Sequence, residues 1–184
     1  MTQERKALRR LVRGALIAAI YAVLCAALAP ISYGEVQFRI SEALTILPLL
    51  MPEAIPGLFV GCLIANLIGG AGILDIVFGS LATLIAGLLT YAMRRLPAWA
   101  ALLPVVVVNG LVVGWVLNVA YGTPLLLGMG SVALGQAVVC YVLGLPLLAL
   151  LRRREMAEEE AVVHRVRALG DALHQGHQVL AQGS

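Results

Sequence analysis

Residues 98–120 read AWAALLPVVVVNGLVVGWVLNVA and residues 125–151 read LLLGMGSVALGQAVVCYVLGLPLLALL, with no charged side chain in either run. A bilayer core about 30 Å thick takes about 20 apolar residues as a helix. An ionised group at its centre costs roughly 2.5–3.5 kcal/mol. Both runs therefore read as membrane spans. Working outward, residues 11–29 and 73–93 are of the same kind, and residues 42–51 and 54–68 are two shorter apolar pieces separated by Pro52. The expected architecture is an all-α integral membrane protein with six transmembrane helices. Its parts are a basic leader (1–10), a six-helix domain (11–151) and an amphipathic or disordered tail (152–184).

The whole composition agrees. Of the 184 residues 61% are hydrophobic and 12% charged, against about 45–50% and 25% in soluble domains, and the mean hydropathy is +0.95. An ordinary cytoplasmic enzyme, a disordered chain and a nucleic-acid binder are excluded, the net charge of +3 notwithstanding. The basic leader followed by Ala27-Leu28-Ala29 imitates a signal peptide. The apolar region is long for one and Pro30 follows the would-be cleavage point, so a retained helix is expected.

Twelve of the thirteen basic residues fall on one side of a six-span chain: Arg5, Lys6, Arg9, Arg10 and Arg13, then Arg94 and Arg95, then Arg152, Arg153, Arg154, Arg165 and Arg167. Arg39 alone falls on the other. The positive-inside rule then places both termini in the cytoplasm of a multi-pass protein of the cell membrane. Cys25, Cys62 and Cys140 lie in apolar runs at spacings that suit neither a disulfide framework nor a metal site, and read as packing residues. His164, His174 and His177 sit in the tail, which reads as a solvated amphipathic face.

At 1.5 Å per residue, polar side chains gather toward one leaflet. Glu42 and Asp75 open the second and fourth helices there, Asn66 ends the third, and Asn109 and Gln136 fall near mid-membrane. Asn118 lies nine residues from Asn109, half a turn around the helix, so both cannot face one pocket without a bend. Glu53 reads as a helix start on the other side. Intramembrane ionisable residues are functional candidates by default. Carboxylates accept hydrogen bonds, Asn and Gln donate and accept, Arg39 donates in a fork, and Phe38 or Tyr33 offers a stacking face. Such a set suits a flat, amide-edged heterocycle such as a guanine-like base, and it also permits other polar solutes. No phosphate loop, zinc helix or nucleophile elbow occurs, so the chain is read as non-enzymatic, with no cofactor or metal.

On the first helix Ala15, Ala18, Ala19, Ala22 and Ala26 recur at helical spacing, and small residues let helices approach closely in lipid. Ala15, Ala18, Ala19 and Ala22 are the candidate partner surface. Gly57/Gly61 and Gly110/Gly114 read as internal packing.

Four stretches, APISYGEVQFRISEAL (29–44), GCLIAN (61–66), DIVFGSLATL (75–84) and VVCYVLGLPL (138–147), resemble the QueT family over about residues 10–153. The resemblance implies a queuosine-precursor transporter, the substrate-binding S component of an energy-coupling-factor (ECF) importer. It implies a six-helix bundle with an outward pocket for a 7-deazaguanine such as preQ0, preQ1 or queuine. It also implies docking through the first helix onto a transmembrane coupling subunit that carries two cytoplasmic ATPases. Gln37, Phe38, Arg39, Glu42, Asp75, Asn109 and Gln136 are the pocket positions it carries over, with Asn66 added from its depth. The alternatives are an S component for another purine-like or vitamin solute, and a stand-alone secondary transporter.

Overall fold

Among the described residues six helices succeed one another: α1 (Gln3–Ala27), α2 (Ile40–Leu49), α3 (Ala54–Ile68), α4 (Asp75–Ala92), α5 (Ala98–Tyr121) and α6 (Leu125–Glu158). The computed structural model describes residues 3–29, 39–70, 72–158, 160–161 and 164–165, and no strand occurs among them. By length and composition α1, α4, α5 and α6 can cross a membrane, while α2 and α3 are only 10 and 15 residues long. Residues 1–147 form one compact unit and residues 148–184 a second. Among the described residues, the second consists of helix. His174 and His177 lie outside the described residues, as do Gln37 and Phe38.

The short α2 is not α-helical. It is wound as a 3₁₀ helix over all ten residues, with Pro48 inside. Runs this long are uncommon. A proline lacks the N–H and collides with the carbonyl four residues back, which disfavours the ordinary ladder here. The tighter winding rises about 2.0 Å per residue, so ten residues cover about 20 Å rather than about 15 Å. It also puts every third residue on one edge. Glu42 and Thr45 share such an edge, and the Thr45 hydroxyl donates to the Glu42 carbonyl at 2.6 Å. The helix starts two residues before Glu42, and Arg39, expected in an outer loop, is drawn into the interior at 7% exposure.

The hairpins alternate in direction. Arg13, early in α1, pairs with Glu53 at the α2–α3 turn (3.2 Å), and Cys25, late in α1, reaches Ser41 at the head of α2 (2.9 Å). α1 and α3 therefore run away from the Arg13–Glu53 end and α2 returns to it. Ile46, Leu58, Ala86, Leu102 and Val105 are fully buried between that end and the polar cluster described below. Thr90 is the buried polar exception in this floor.

In lipid, apolar contact between helices gives little net drive because the tails are equally apolar; close packing must hold them together. Glycines supply it. A Cβ on Gly57 would lie 2.6 Å from the Gly14 carbonyl oxygen, and one on Gly61 would lie 2.9 Å from the Ala18 oxygen. A Cβ on Gly114 would lie 2.5 Å from Met129 Cα. Both glycine pairs thus serve internal packing, as their spacing suggested. Gly114→Ala is expected to lower stability by about 1–3 kcal/mol, the usual cost of overpacking against unyielding atoms. Thermal unfolding in detergent checks this; an unchanged midpoint would refute it.

Candidate functional site

The polar residues of four helices converge. Glu42 is 3% exposed, Asn109 4% and Gln136 7%. The Glu42 carboxylate accepts one hydrogen bond from the Tyr21 hydroxyl of α1 and one from Gln136 Nε2 of α6 at 3.0 Å. Arg39 Nη1 points to Cys62 Sγ at 3.9 Å, and its charge lies within electrostatic reach of both Glu42 and Asp75. Arg39, Glu42, Thr83, Asn109 and Gln136, with Gly79, Val113 and Val132, enclose a cavity of about 10 Å³, enough for one water. Asn109 Nδ2 is buried with no hydrogen-bond partner among the described residues. It is a ready donor on the cavity wall.

Two π-turns flank this cluster, at Asp75–Gly79 in α4 and at Val139–Gly144 in α6. Such turns insert a surplus residue into a helix and recur at functional sites. The first brings Gly79 to the cavity wall, where a Cβ would press on Asp75 Oδ1 (3.3 Å) and Asn66 Nδ2 (3.4 Å). Asn66 serves this turn. Its amide donates to the Asp75 carbonyl at 3.0 Å, and neither Asn66 nor Asp75 lines the cavity, although both are fully buried beside it. The second turn places Cys140 Sγ 3.6 Å from Gln136 Nε2 and from Thr45 Oγ1.

Arg39, Glu42, Asn109 and Gln136 are thus brought together, and Asn66 and Asp75 stand immediately behind them. Asn118 turns away and donates to the Thr123 carbonyl at 2.7 Å, which resolves which of the two α5 asparagines faces inward. Tyr21 and Thr83 went unnoticed in the sequence. A tyrosine in the middle of an apolar span has a hydroxyl that needs a partner, and that signal could have found Tyr21. Thr83 gave none. The three cysteines are more than filler, because each touches a polar group of the cluster: Cys25 touches Ser41, Cys62 touches Arg39, and Cys140 touches Gln136. Among the described residues no group of side chains could hold a metal ion.

The alanine stripe divides. Ala18 and Ala22 are buried inside the chain, while Ala15 and Ala19 face outward among Leu11, Leu16 and Ile20. Between α1 and α3 runs an apolar surface groove of about 540 Å³, lined by Gly14, Ala15, Ala18, Gly57 and Val60, with Arg10 and Glu53 also on its wall.

Residues 11–153 match the QueT transporter family. A relative in Lactococcus lactis subsp. cremoris (strain MG1363), the queuosine precursor transporter QueT, is 36% identical over 73 residues, which is 39% of this chain and 43% of that protein. The matched stretch thus spans less than half of that relative's length. No solved structure matches the chain. The family match covers most of the six-helix region, and the chain belongs to the QueT transporter family.

Proposed function

We propose that this chain is the substrate-binding S component of an ECF importer and takes up a queuosine precursor, a 7-deazaguanine such as preQ0, preQ1 or queuine. The observation that carries the reading is the convergence of Arg39, Glu42, Asn109 and Gln136 on one buried cavity above an apolar floor. These groups match the edge of a guanine-like base. The carboxylate accepts from its ring N–H and exocyclic amine, and the Asn109 amide or the Arg39 guanidinium donates to its carbonyl. The Lactococcus relative's name points to the same solute class.

A cavity of about 10 Å³ is far below the roughly 300 Å³ or more of small-molecule pockets. Loading therefore requires Gln136 to leave Glu42 and the walls to separate. Both termini lie in the cytoplasm, with the cavity toward the outer leaflet. The groove beside Ala15 receives the coupling subunit, whose two ATPases supply the energy.

Calorimetry with the detergent-solubilised protein tests the reading. Deazaguanine bases should bind in the nanomolar-to-micromolar range without ATP. Binding of guanine or a vitamin alone would overturn the assigned solute, and uptake into proteoliposomes by this chain alone would overturn the S-component role. Gly79→Val, which puts a branched side chain against the cavity and the Asn66 clasp, is expected to weaken binding at least about fivefold, since overpacking costs about 1–3 kcal/mol. Unaltered affinity would remove Gly79 from the wall.

A further inference from the structure

We propose that Tyr21 is a positioning residue of the binding site: its hydroxyl pins one oxygen of the Glu42 carboxylate from behind and thereby aims the other into the cavity. The inference rests on the reading that Glu42 contacts the solute. Tyr21 is fully buried and is not among the described residues that line the cavity. Its hydroxyl donates to Glu42 Oε1, whereas Oε2 accepts from Gln136, itself a cavity residue. A base entering the cavity competes with Gln136 for Oε2 while Oε1 stays held. One turn further along the same face of α1, Cys25 meets Ser41 at 2.9 Å, so the contact between α1 and the head of α2 is made twice in register. The backbone beneath Tyr21 is fixed as well. A Cβ on Gly61 of α3 would lie 2.9 Å from the Tyr21 Cβ, so Tyr21 is rooted where two helices touch directly.

A carboxylate held at one oxygen presents the other with its lone pairs in a set direction. Released, it rotates about its terminal torsion, which is broad, and each ligand bond must then order it again. A hydrogen bond to a charged group of this kind accounts for roughly a tenfold change or more in an equilibrium.

The test is a mutant cycle read by calorimetry with the 7-deazaguanine that the wild type binds. Tyr21→Phe keeps the ring and loses only the hydroxyl. It is expected to weaken binding about tenfold in a protein that still folds, its ligand-free unfolding midpoint lowered by the lost hydrogen bond. In a Glu42→Gln background the effect should vanish or change sign. There the Tyr21 hydroxyl holds the amide oxygen and turns the amide nitrogen toward the ligand, and removing the hydroxyl lets the amide flip to offer its oxygen. A residue that only supported the fold would weaken both backgrounds alike, and that result overturns the proposal, as does wild-type affinity in the single variant. Should Tyr21→Phe not fold, Tyr21→Met removes the same hydroxyl with a flexible filler. Failure of both to fold makes Tyr21 a structural strut and also overturns it. If the wild type binds no deazaguanine, the functional reading fails first and this inference with it.

Discussion

Glu42→Ala will weaken deazaguanine binding in calorimetry by roughly two to three orders of magnitude. Leaving a buried polar group without its partner costs about 1–3 kcal/mol, and more for charged groups. Here the Tyr21 hydroxyl and the Gln136 amide both lose their acceptor, and Arg39, 7% exposed, loses one of the two carboxylates within reach of its charge. Glu42→Gln keeps the shape and should weaken binding less, by about 1–3 kcal/mol. A Glu42→Ala protein that binds like the wild type would remove the carboxylate from the site and with it the proposed mode of base recognition.

Ala15→Leu is expected to leave ligand affinity unchanged and to reduce uptake at least about tenfold in cells or proteoliposomes that contain the coupling complex. Ala15 faces outward and lines the groove between α1 and α3. A leucine there fills the hollow that a partner helix needs for close approach, and small residues supply that approach in lipid. Ala18→Leu is the instructive contrast. Ala18 is buried against Gly61, so that variant should lose stability first. Undiminished uptake by Ala15→Leu would move the docking surface elsewhere, and loss of binding together with uptake would indicate misfolding.

The six segments were legible because the bilayer imposes span length on hydropathy. Glu42, Asn109 and Gln136 were legible because a polar group in an apolar run needs a reason to be there. Other features left no such mark. A π-turn is a shift of backbone register with no composition of its own, so nothing in 75–79 announced that Gly79 would reach the cavity wall. Nothing in 40–49 announced that α2 would be wound as a 3₁₀ helix with Pro48 inside it, or that Arg39 at its head would be buried. Four-residue spacing identified the alanine stripe, but neighbouring faces of a helix share that spacing, so the outward pair Ala15 and Ala19 could not be separated from the inward pair Ala18 and Ala22. Hydroxyls and thiols are ordinary in membrane helices, which hid Tyr21, Thr83 and the three cysteines among packing residues.

Where Gly57 meets Gly14 and Gly61 meets Ala18, main chain rests on main chain with no cushioning side chains between. With no side chains between them at these points, α1 and α3 have no slack in their spacing. The Asn66 clasp on the Asp75 carbonyl ties the end of α3 to the first turn of α4, the turn that carries Gly79 to the cavity wall. Direct backbone contact and one amide thus make an unbroken path from α1 to that wall.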